Sequence, residues 1–158
     1  MSPEESPSRW SVRLLMVGMA LLGFAIATTL ALYQGGILPT VWEPFFGSGS
    51  RIILHSSVSR LLPIPDAALG ALGYLLEVVS GLIGGPERYR TMPRVVIAMG
   101  VLVGAMGGAG LLLVLLQAFY FRQFCTLCLA SAALSISLVP LAWPEVRAAL
   151  RERTRRHG

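Results

Sequence analysis

The chain has 158 residues, of which 54% are hydrophobic and 13% are charged, and its mean hydropathy is +0.69. This composition excludes a soluble globular domain and predicts an all-α integral membrane protein. The formal net charge of +5 does not indicate nucleic-acid binding, because the arginines cluster at the ends of apolar segments rather than among aromatic residues on a soluble face.

Four segments are apolar enough and long enough to cross about 30 Å of hydrocarbon as helices. They lie at about residues 12–33, 67–83, 95–121 and 126–143. The sequence therefore predicts a bundle of four transmembrane helices that forms a single membrane domain over residues 1–158. An outer loop at 34–65 and a cytoplasmic tail at 144–158 complete this domain.

The first apolar segment has a second interpretation, as a cleavable signal peptide. Arg9 and Arg13 precede it, and Ala25 and Ala27 supply the small residues of a cleavage site. We expect the segment to be retained, because its apolar character continues through Tyr33 and cleavage would leave three spans.

The outer loop carries two distinct patterns. Trp42, Phe45 and Phe46, beside proline and glycine, suit the outer membrane interface, where one edge of each ring stays wet. From Ser50 to Leu62, apolar residues are interspersed with arginine, histidine and serine. This pattern predicts a short amphipathic helix that lies in the plane of the interface.

Small residues and one proline mark the last two spans. Gly100, Gly104 and Gly108 follow one another at a spacing of four, so one stripe of the third span lacks side chains and another helix can approach it closely. Pro140 lies inside the fourth span and is expected to kink it.

The distribution of arginine predicts the topology. Ten of the thirteen arginines precede the first span, separate the second from the third, or follow the fourth. The positive-inside rule then places both termini in the cytoplasm of a multi-pass protein. The start of the fourth span faces the opposite, outer side.

The two cysteines of the chain, Cys125 and Cys128, form a C-x-x-C pair at this outer end of the fourth span. A helix N-terminus stabilises a thiolate, so Cys125 is the candidate nucleophile and Cys128 the resolving thiol. Disulfides persist outside the cytoplasm, which agrees with a redox role. Two inert buried thiols are the alternative. No metal is expected, because the chain has no further cysteine and its two histidines are distant in sequence.

Glu77 lies near the middle of the second span, where a lone carboxylate is costly and therefore a functional candidate. It is interpreted either as a proton relay or as a partner in a hydrogen bond to serine, Gln117 or tyrosine. Asp66, at the start of the same span, fits the role of a helix N-cap.

The two cysteines share one stripe of the fourth span with Ala132, Ser135 and Val139, at spacings of three or four. This narrow stripe of mostly small side chains leaves room for a flat ring. Packing against the glycines of the third span explains the same residues equally well.

Taken together, four spans, inner termini, an outer amphipathic segment and C-x-x-C at the start of span four resemble the vitamin K epoxide reductase family. The stretch from Ser50 through Pro65 to Gly70 is similar to that family's segment between a loop cysteine and the second span. The sequence from Phe124 to Leu129, FCTLCL, is similar to its active-site motif.

The resemblance implies a four-helix-bundle oxidoreductase of a bacterial inner membrane. Its C-x-x-C pair would pass electrons between an outer thiol partner and a membrane quinone, either ubiquinone or menaquinone. Cys125 would exchange disulfides with a separate periplasmic or extracellular thioredoxin-like protein, and Cys128 would lie nearest the quinone. Asp66 falls where the family often has a polar residue that hydrogen-bonds the quinone, and Ala132 and Ser135 are the other candidate quinone contacts. Ala132 replaces the aromatic hydroxyl of the animal members, so vitamin K epoxide is not the expected substrate.

One departure from the family is large. Family members usually relay electrons through a second cysteine pair in the outer loop, whereas Ser50 stands at one of those positions and the loop has no cysteine. Either Cys125 reacts directly with the external thiol, with disulfide formation as the expected direction, or the bundle is a noncatalytic assembly module that binds a partner or membrane lipid.

Overall fold

The computed structural model describes residues 5–61 and 63–158. Over these residues the secondary structure is helical, without strands. The helices in chain order are α1 (Trp10–Gln34), α2 (Gly49–Leu54), α3 (Asp66–Leu82), α4 (Arg88–Thr91), α5 (Pro93–Leu115), a π-helical turn (Leu116–Phe121) and α6 (Thr126–His157).

Within the described ranges, three helices are long and apolar enough to cross a membrane: α1, α5 together with its π-helical turn, and α6. The prediction of a helical membrane protein is thereby confirmed. Helix α3 has 17 residues, which corresponds to a length of about 26 Å. Its crossing of the bilayer, and with it the count of four spans, stays a prediction.

The four long helices pack in two pairs, α1 on α3 and α5 on α6, and α1 also lies against α6. Their shared core consists of apolar side chains from all four: Met16, Val17, Ala20, Tyr74, Val78, Met99, Val103, Leu138 and Ala142. Many large apolar side chains, including Leu21, Leu22, Val101 and Leu112, stay exposed on the outside of the bundle. Such a surface is suited to lipid.

The glycines that contact α6 are only partly those predicted. A Cβ atom added at Gly104 or Gly108 would meet no atom within 4 Å, so these two positions face outward. Instead, Gly107 and Gly110 contact α6 together with Gly100. A Cβ atom added at Gly110 would lie 3.3 Å from Ala132 Cα. The contact with α6 thus follows steps of seven and three residues, as in left-handed helix pairs, rather than repeated steps of four.

Helix α2 is shorter than the predicted amphipathic helix at 50–62. It ends at Leu54, and the hydroxyls of Ser56 and Ser59 both donate to the carbonyl oxygen of Ile53, at 2.7 and 3.0 Å. These side chains satisfy a carbonyl that a continuing helix would have used. Leu62 lies outside the described residues, and the placement of α2 in the interface plane stays a prediction.

Helix α6 continues beyond the predicted span, through Pro140 and Pro144 to His157. Tertiary contacts hold the extension in place, because Glu145 is buried and Ala149 is buried against Tyr89 and Val96. The helix continues through Pro140, and the expected kink there stays a prediction.

A buried polar cluster closes the end of the bundle remote from the cysteines. Arg88 forms an ion pair with Glu145, whose Oε2 lies 2.7 Å from Nη2, and the Ser8 hydroxyl donates to Glu145 Oε1 at 2.6 Å. Arg13 donates to the carbonyl oxygens of Gly81 and Gly84. Because Glu145 lies 20 residues after Cys125 on one helix, this cluster is about 30 Å from the C-x-x-C pair.

Candidate functional site

Cys125 and Cys128 are joined by a disulfide at the N-terminus of α6, with their Cα atoms 5.1 Å apart. Cys125 immediately precedes the helix, and its sulfur accepts a hydrogen bond from the Cys128 backbone N–H at 3.2 Å. The backbone N–H of Cys125 donates to Gln117 Oε1 at 3.1 Å. The π-helical turn that carries Gln117 therefore positions the first cysteine.

The two sulfur-bearing residues have different surroundings. Cys125 is 0% exposed and packs with Leu30, Ile53 and Leu54, so the outer segment covers it. Cys128 is half-buried and forms part of the wall of a cavity. One cysteine thus lies under α2 and the other faces the interior of the bundle.

This cavity has a volume of about 310 Å³ and lies among α1, α3, α5 and α6. Its wall is mainly apolar, with Leu30, Leu69, Met106 and Leu113 among the lining residues. The candidate residues Asp66, Cys128, Ala132 and Ser135 all line it as well. An apolar cleft of this size with a few convergent polar groups suits a small flat ligand.

Asp66 holds its carboxylate at this cavity by accepting three hydrogen bonds. Gln34 Nε2 donates to Oδ1 at 2.6 Å, Ser59 Oγ donates to Oδ2 at 3.2 Å, and the Ala67 backbone N–H donates to Oδ1 at 2.9 Å. Asp66 is the first residue of α3 rather than its N-cap, which is Pro65. Its contacts connect α1, the segment after α2, and α3.

Tyr74 is a residue that sequence reasoning missed. Its hydroxyl donates to the carbonyl oxygen of Ser131 at 2.6 Å and lies 2.6 Å from Ser135 Oγ. A Cβ atom at Gly23 would lie 2.3 Å from the Tyr74 ring, so only glycine leaves room for it. A buried tyrosine needs a polar partner, which is a sequence signal, but only the fold shows that the partners lie on α6.

Glu77 lies away from the cavity beside Cys128. It faces a separate void of about 10 Å³, whose wall also includes Arg13, Arg88, Met99 and Leu138. Both carboxylate oxygens are buried, and neither has a hydrogen-bond partner in the part of the chain that the structure describes. A void of this size has room for about one water molecule. Gln117, considered as a partner for Glu77, instead contacts Cys125.

Glu43 is the second residue that sequence reasoning missed. Its Oε1 accepts hydrogen bonds from the backbone N–H of Thr126, at 2.9 Å, and from the Thr126 hydroxyl. Its Oε2 accepts from the hydroxyl of Ser50, which is 2% exposed. One carboxylate therefore ties α2 to the first residue of the C-x-x-C helix.

The sequence matches the model of the Vitamin K epoxide reductase family over residues 14–143. This match runs from Leu14 in α1 to Trp143 near the middle of α6, and it includes α3 and α5 in full. No curated protein matches the chain.

Proposed function

Because the chain belongs to the vitamin K epoxide reductase family, we propose that it is a quinone-linked thiol-disulfide oxidoreductase of a bacterial inner membrane. One observation carries the proposal. The Cys125–Cys128 disulfide stands at a helix N-terminus, and Cys128 forms part of the wall of a 310 Å³ apolar cavity. A disulfide beside such a cavity is suited to two-electron exchange with a ring bound there.

The proposed thiol half-reaction begins when a thiolate of the partner attacks Cys125 Sγ. The Cys125–Cys128 bond breaks, and its electron pair goes to the Cys128 sulfur. The second partner thiol then attacks the mixed disulfide, which releases Cys125 and leaves the partner oxidised. Two electrons and two protons now reside on the cysteine pair, and a quinone held beside Cys128 would accept both as the disulfide re-forms.

The residues on the cavity wall fit a quinone by the chemistry of their donors and acceptors. Quinone carbonyl oxygens only accept hydrogen bonds, and the hydroxyls of Ser131 and Ser135 on this wall can donate to one when their protons turn away from Tyr74. The Asp66 carboxylate accepts, so it suits the hydroxyl groups of the reduced quinol. Ala132 contributes a small side chain that leaves space for the ring.

We assign Glu77 a role as proton relay within the same reaction. Its carboxylate is buried without a protein partner in the described ranges, one helical turn from Tyr74, whose hydroxyl reaches Ser135 at the cavity. A void with room for one water separates it from Arg13 and Arg88. The Glu77 side chain lies between the arginine-rich end of the bundle and the cavity, and this location supports the proposed role.

The thiol partner in this proposal is a separate thioredoxin-like protein on the periplasmic or outer side, with both termini of the chain in the cytoplasm. The distribution of charge supports this topology, because Arg13 and Arg88 lie at the end of the bundle opposite Cys125. Since Cys125 is fully buried, the partner reaches it only when the segment around α2 moves.

A noncatalytic membrane module is the second candidate function. It is favoured by the presence of Ser50 where the family usually has a loop cysteine. The Ser50 hydroxyl donates a hydrogen bond to Glu43. In such a module the disulfide would fasten the start of α6, and the bundle would bind a partner or lipid.

Quinone reduction by the purified protein, supplied with a dithiol, separates the two candidates. We expect turnover by the wild type and loss of turnover in Cys125→Ser and Cys128→Ser, with Ser48→Ala, an exposed change in the outer segment, as the matched control. Equal rates in all four proteins, confirmed to be folded, would favour the noncatalytic module. With turnover established, Cys128→Ser is the variant that traps the partner as a mixed disulfide with Cys125.

A further inference from the structure

Glu43 lies in the outer segment, 83 residues before its partner on α6. It is the acceptor in each of its hydrogen bonds, with Ser50 Oγ, Thr126 Oγ1 and the Thr126 N–H as donors. An ionised carboxylate only accepts, so this set of donors fits the charged form of the side chain. The carboxylate therefore brings a negative charge to the residue that follows Cys125.

We infer that Glu43 is a positioning residue that sets the balance between the disulfide and dithiol forms of the Cys125–Cys128 pair. This inference deepens the proposed function and rests on it for its biological meaning. The first backbone N–H groups of a helix carry partial positive charge that favours an anion. In α6, Glu43 occupies the first of them, on Thr126, and Cys128 N–H is directed at the Cys125 sulfur.

Opening the disulfide places a second anion at the same helix end, the thiolate of Cys125. The Glu43 carboxylate then destabilises that thiolate, because the two negative charges repel each other. The carboxylate also already occupies a backbone N–H at the positive end of the helix dipole, which would otherwise stabilise the thiolate. The disulfide carries no charge, so the Glu43 carboxylate does not repel it. Glu43 therefore favours the disulfide over the dithiol, and makes the reduced pair a better donor of two electrons to a quinone.

Other charged or titratable groups face this end of the bundle. They are Tyr33 on α1, Arg51 on α2, His55 and Arg60 after α2, Asp66 on α3, and Arg122 before α6. Among the described residues, none of the basic side chains forms an ion pair with Glu43, and the Asp66 carboxylate is bound by Gln34 and Ser59. Glu43 is thus the carboxylate in direct contact with the N-terminus of the C-x-x-C helix.

The test measures the ratio of dithiol to disulfide at equilibrium with a glutathione redox buffer in the purified full-length protein. Glu43→Gln is the main variant, because the amide oxygen keeps the acceptor for Thr126 and only the charge is lost. At about pH 9, where thiolates are populated, we expect its equilibrium to move toward the dithiol by about tenfold, or about 30 mV. At about pH 5.5, where a smaller fraction of the thiols is ionised, we expect a smaller shift.

Matched controls separate charge from structure. Glu87→Gln removes an exposed carboxylate at the opposite end of the bundle and should leave the equilibrium unchanged. Ser50→Ala keeps the Glu43 charge while deleting one of its donors, and should shift the equilibrium less than Glu43→Gln. Should Glu43→Gln fail to fold, Glu43→Ala is expected to give the same direction and the same pH dependence.

A shift of equal size at both pH values, or no shift at about pH 9, would overturn the inference. The assay contains no quinone, so its result is independent of whether the protein turns over quinone. Loss of quinone turnover in the cysteine variants, measured separately, decides the proposed function.

Discussion

The hydroxyl of Tyr74 on α3 lies 2.6 Å from the hydroxyl of Ser135 on α6. Ser135 lines the cavity beside Cys128, whereas Tyr74 is 1% exposed behind it. The Tyr74 phenol thus holds the Ser135 hydroxyl in position from the side away from the cavity. It also connects α3 to α6 through a contact that is buried from water.

Tyr74→Phe removes this hydroxyl while the ring stays in place over Gly23. Because two serine groups on α6 lose their partner, we expect the free energy of unfolding to fall by about 1–2 kcal/mol. We also expect the KM for quinone to rise, since Ser135 is then free to change rotamer. Unfolding and quinone titration in detergent measure both effects. Tyr120→Phe, at a ring that is 71% exposed, is the control, and equal effects of the two changes would contradict the assignment.

Filling the cavity tests whether the quinone binds there. Gly70 lines it, and a Cβ atom at this position would be in ordinary contact with Ala27 at 3.8 Å, so the helix itself tolerates a side chain. We expect Gly70→Leu to lower quinone affinity at least about tenfold, while disulfide exchange with a small dithiol is unchanged.

The matched control for that change is Gly104→Leu on the outer face of α5, where a Cβ atom would meet nothing within 4 Å. It adds the same side chain to a helix without touching the cavity. A comparable loss of quinone affinity in both variants would show that the cavity is not the site.

Glu77→Gln tests the proton relay. If the carboxylate carries protons to the cavity, turnover falls at least about tenfold, because an amide cannot release and regain a proton at this site. The fold should survive, since the side chain makes no hydrogen bond within the described residues. Quinone reduction and thermal unfolding are the measurements. Unchanged turnover in a folded variant would remove the role.

The ion pair of Arg88 with Glu145 should dominate the stability of the arginine-rich end. Side chains of both residues are at most 3% exposed. Either Arg88→Met or Glu145→Met leaves a buried charge without its partner, and should cost about 3–5 kcal/mol in the free energy of unfolding.

The double change Arg88→Met with Glu145→Met is expected to cost less than either single change, because no unpaired charge remains. Disruption of the exposed pair by Arg156→Ala should alter stability by at most about 0.5 kcal/mol. Costs that simply add in the double variant would argue against a coupled pair.

Gly49 controls how closely α2 covers Cys125. A Cβ atom at this position would lie 1.8 Å from the carbonyl oxygen of Phe124, so any larger residue forces α2 away from the start of α6. We expect Gly49→Ala to speed the alkylation of reduced Cys125 several-fold at constant pH, measured by mass spectrometry. Gly85→Ala, where the added atom meets nothing within 4 Å, should leave the rate unchanged. An unchanged rate in Gly49→Ala would show that α2 does not limit access.

Much of the membrane architecture could be predicted from local sequence. Apolar length alone identified α1, α5 and α6, and the pair of cysteines identified the helix end that carries the disulfide. Family membership, predicted from the order of short motifs, is confirmed by the match over residues 14–143.

Contacts between distant segments account for what sequence reasoning missed. Glu43 and Thr126, like Tyr74 and Ser135, meet only because the helices fold together, and nothing in the spacing of either pair signals the meeting. The glycine stripe was partly wrong for a related reason, since two stripes of α5 are rich in glycine and only packing decides which one meets α6. The roles of the site residues stay predictions.

The Arg88–Glu145 pair also constrains how the protein is made. Arg88 leaves the ribosome 57 residues ahead of Glu145, so the first three long helices are synthesised before the carboxylate that neutralises it exists. During that interval two buried arginines, Arg13 and Arg88, depend on backbone carbonyls or on water. The growing chain therefore completes this ion pair only after its last helix has been synthesised, and a protein truncated before Glu145 would leave Arg88 without that partner.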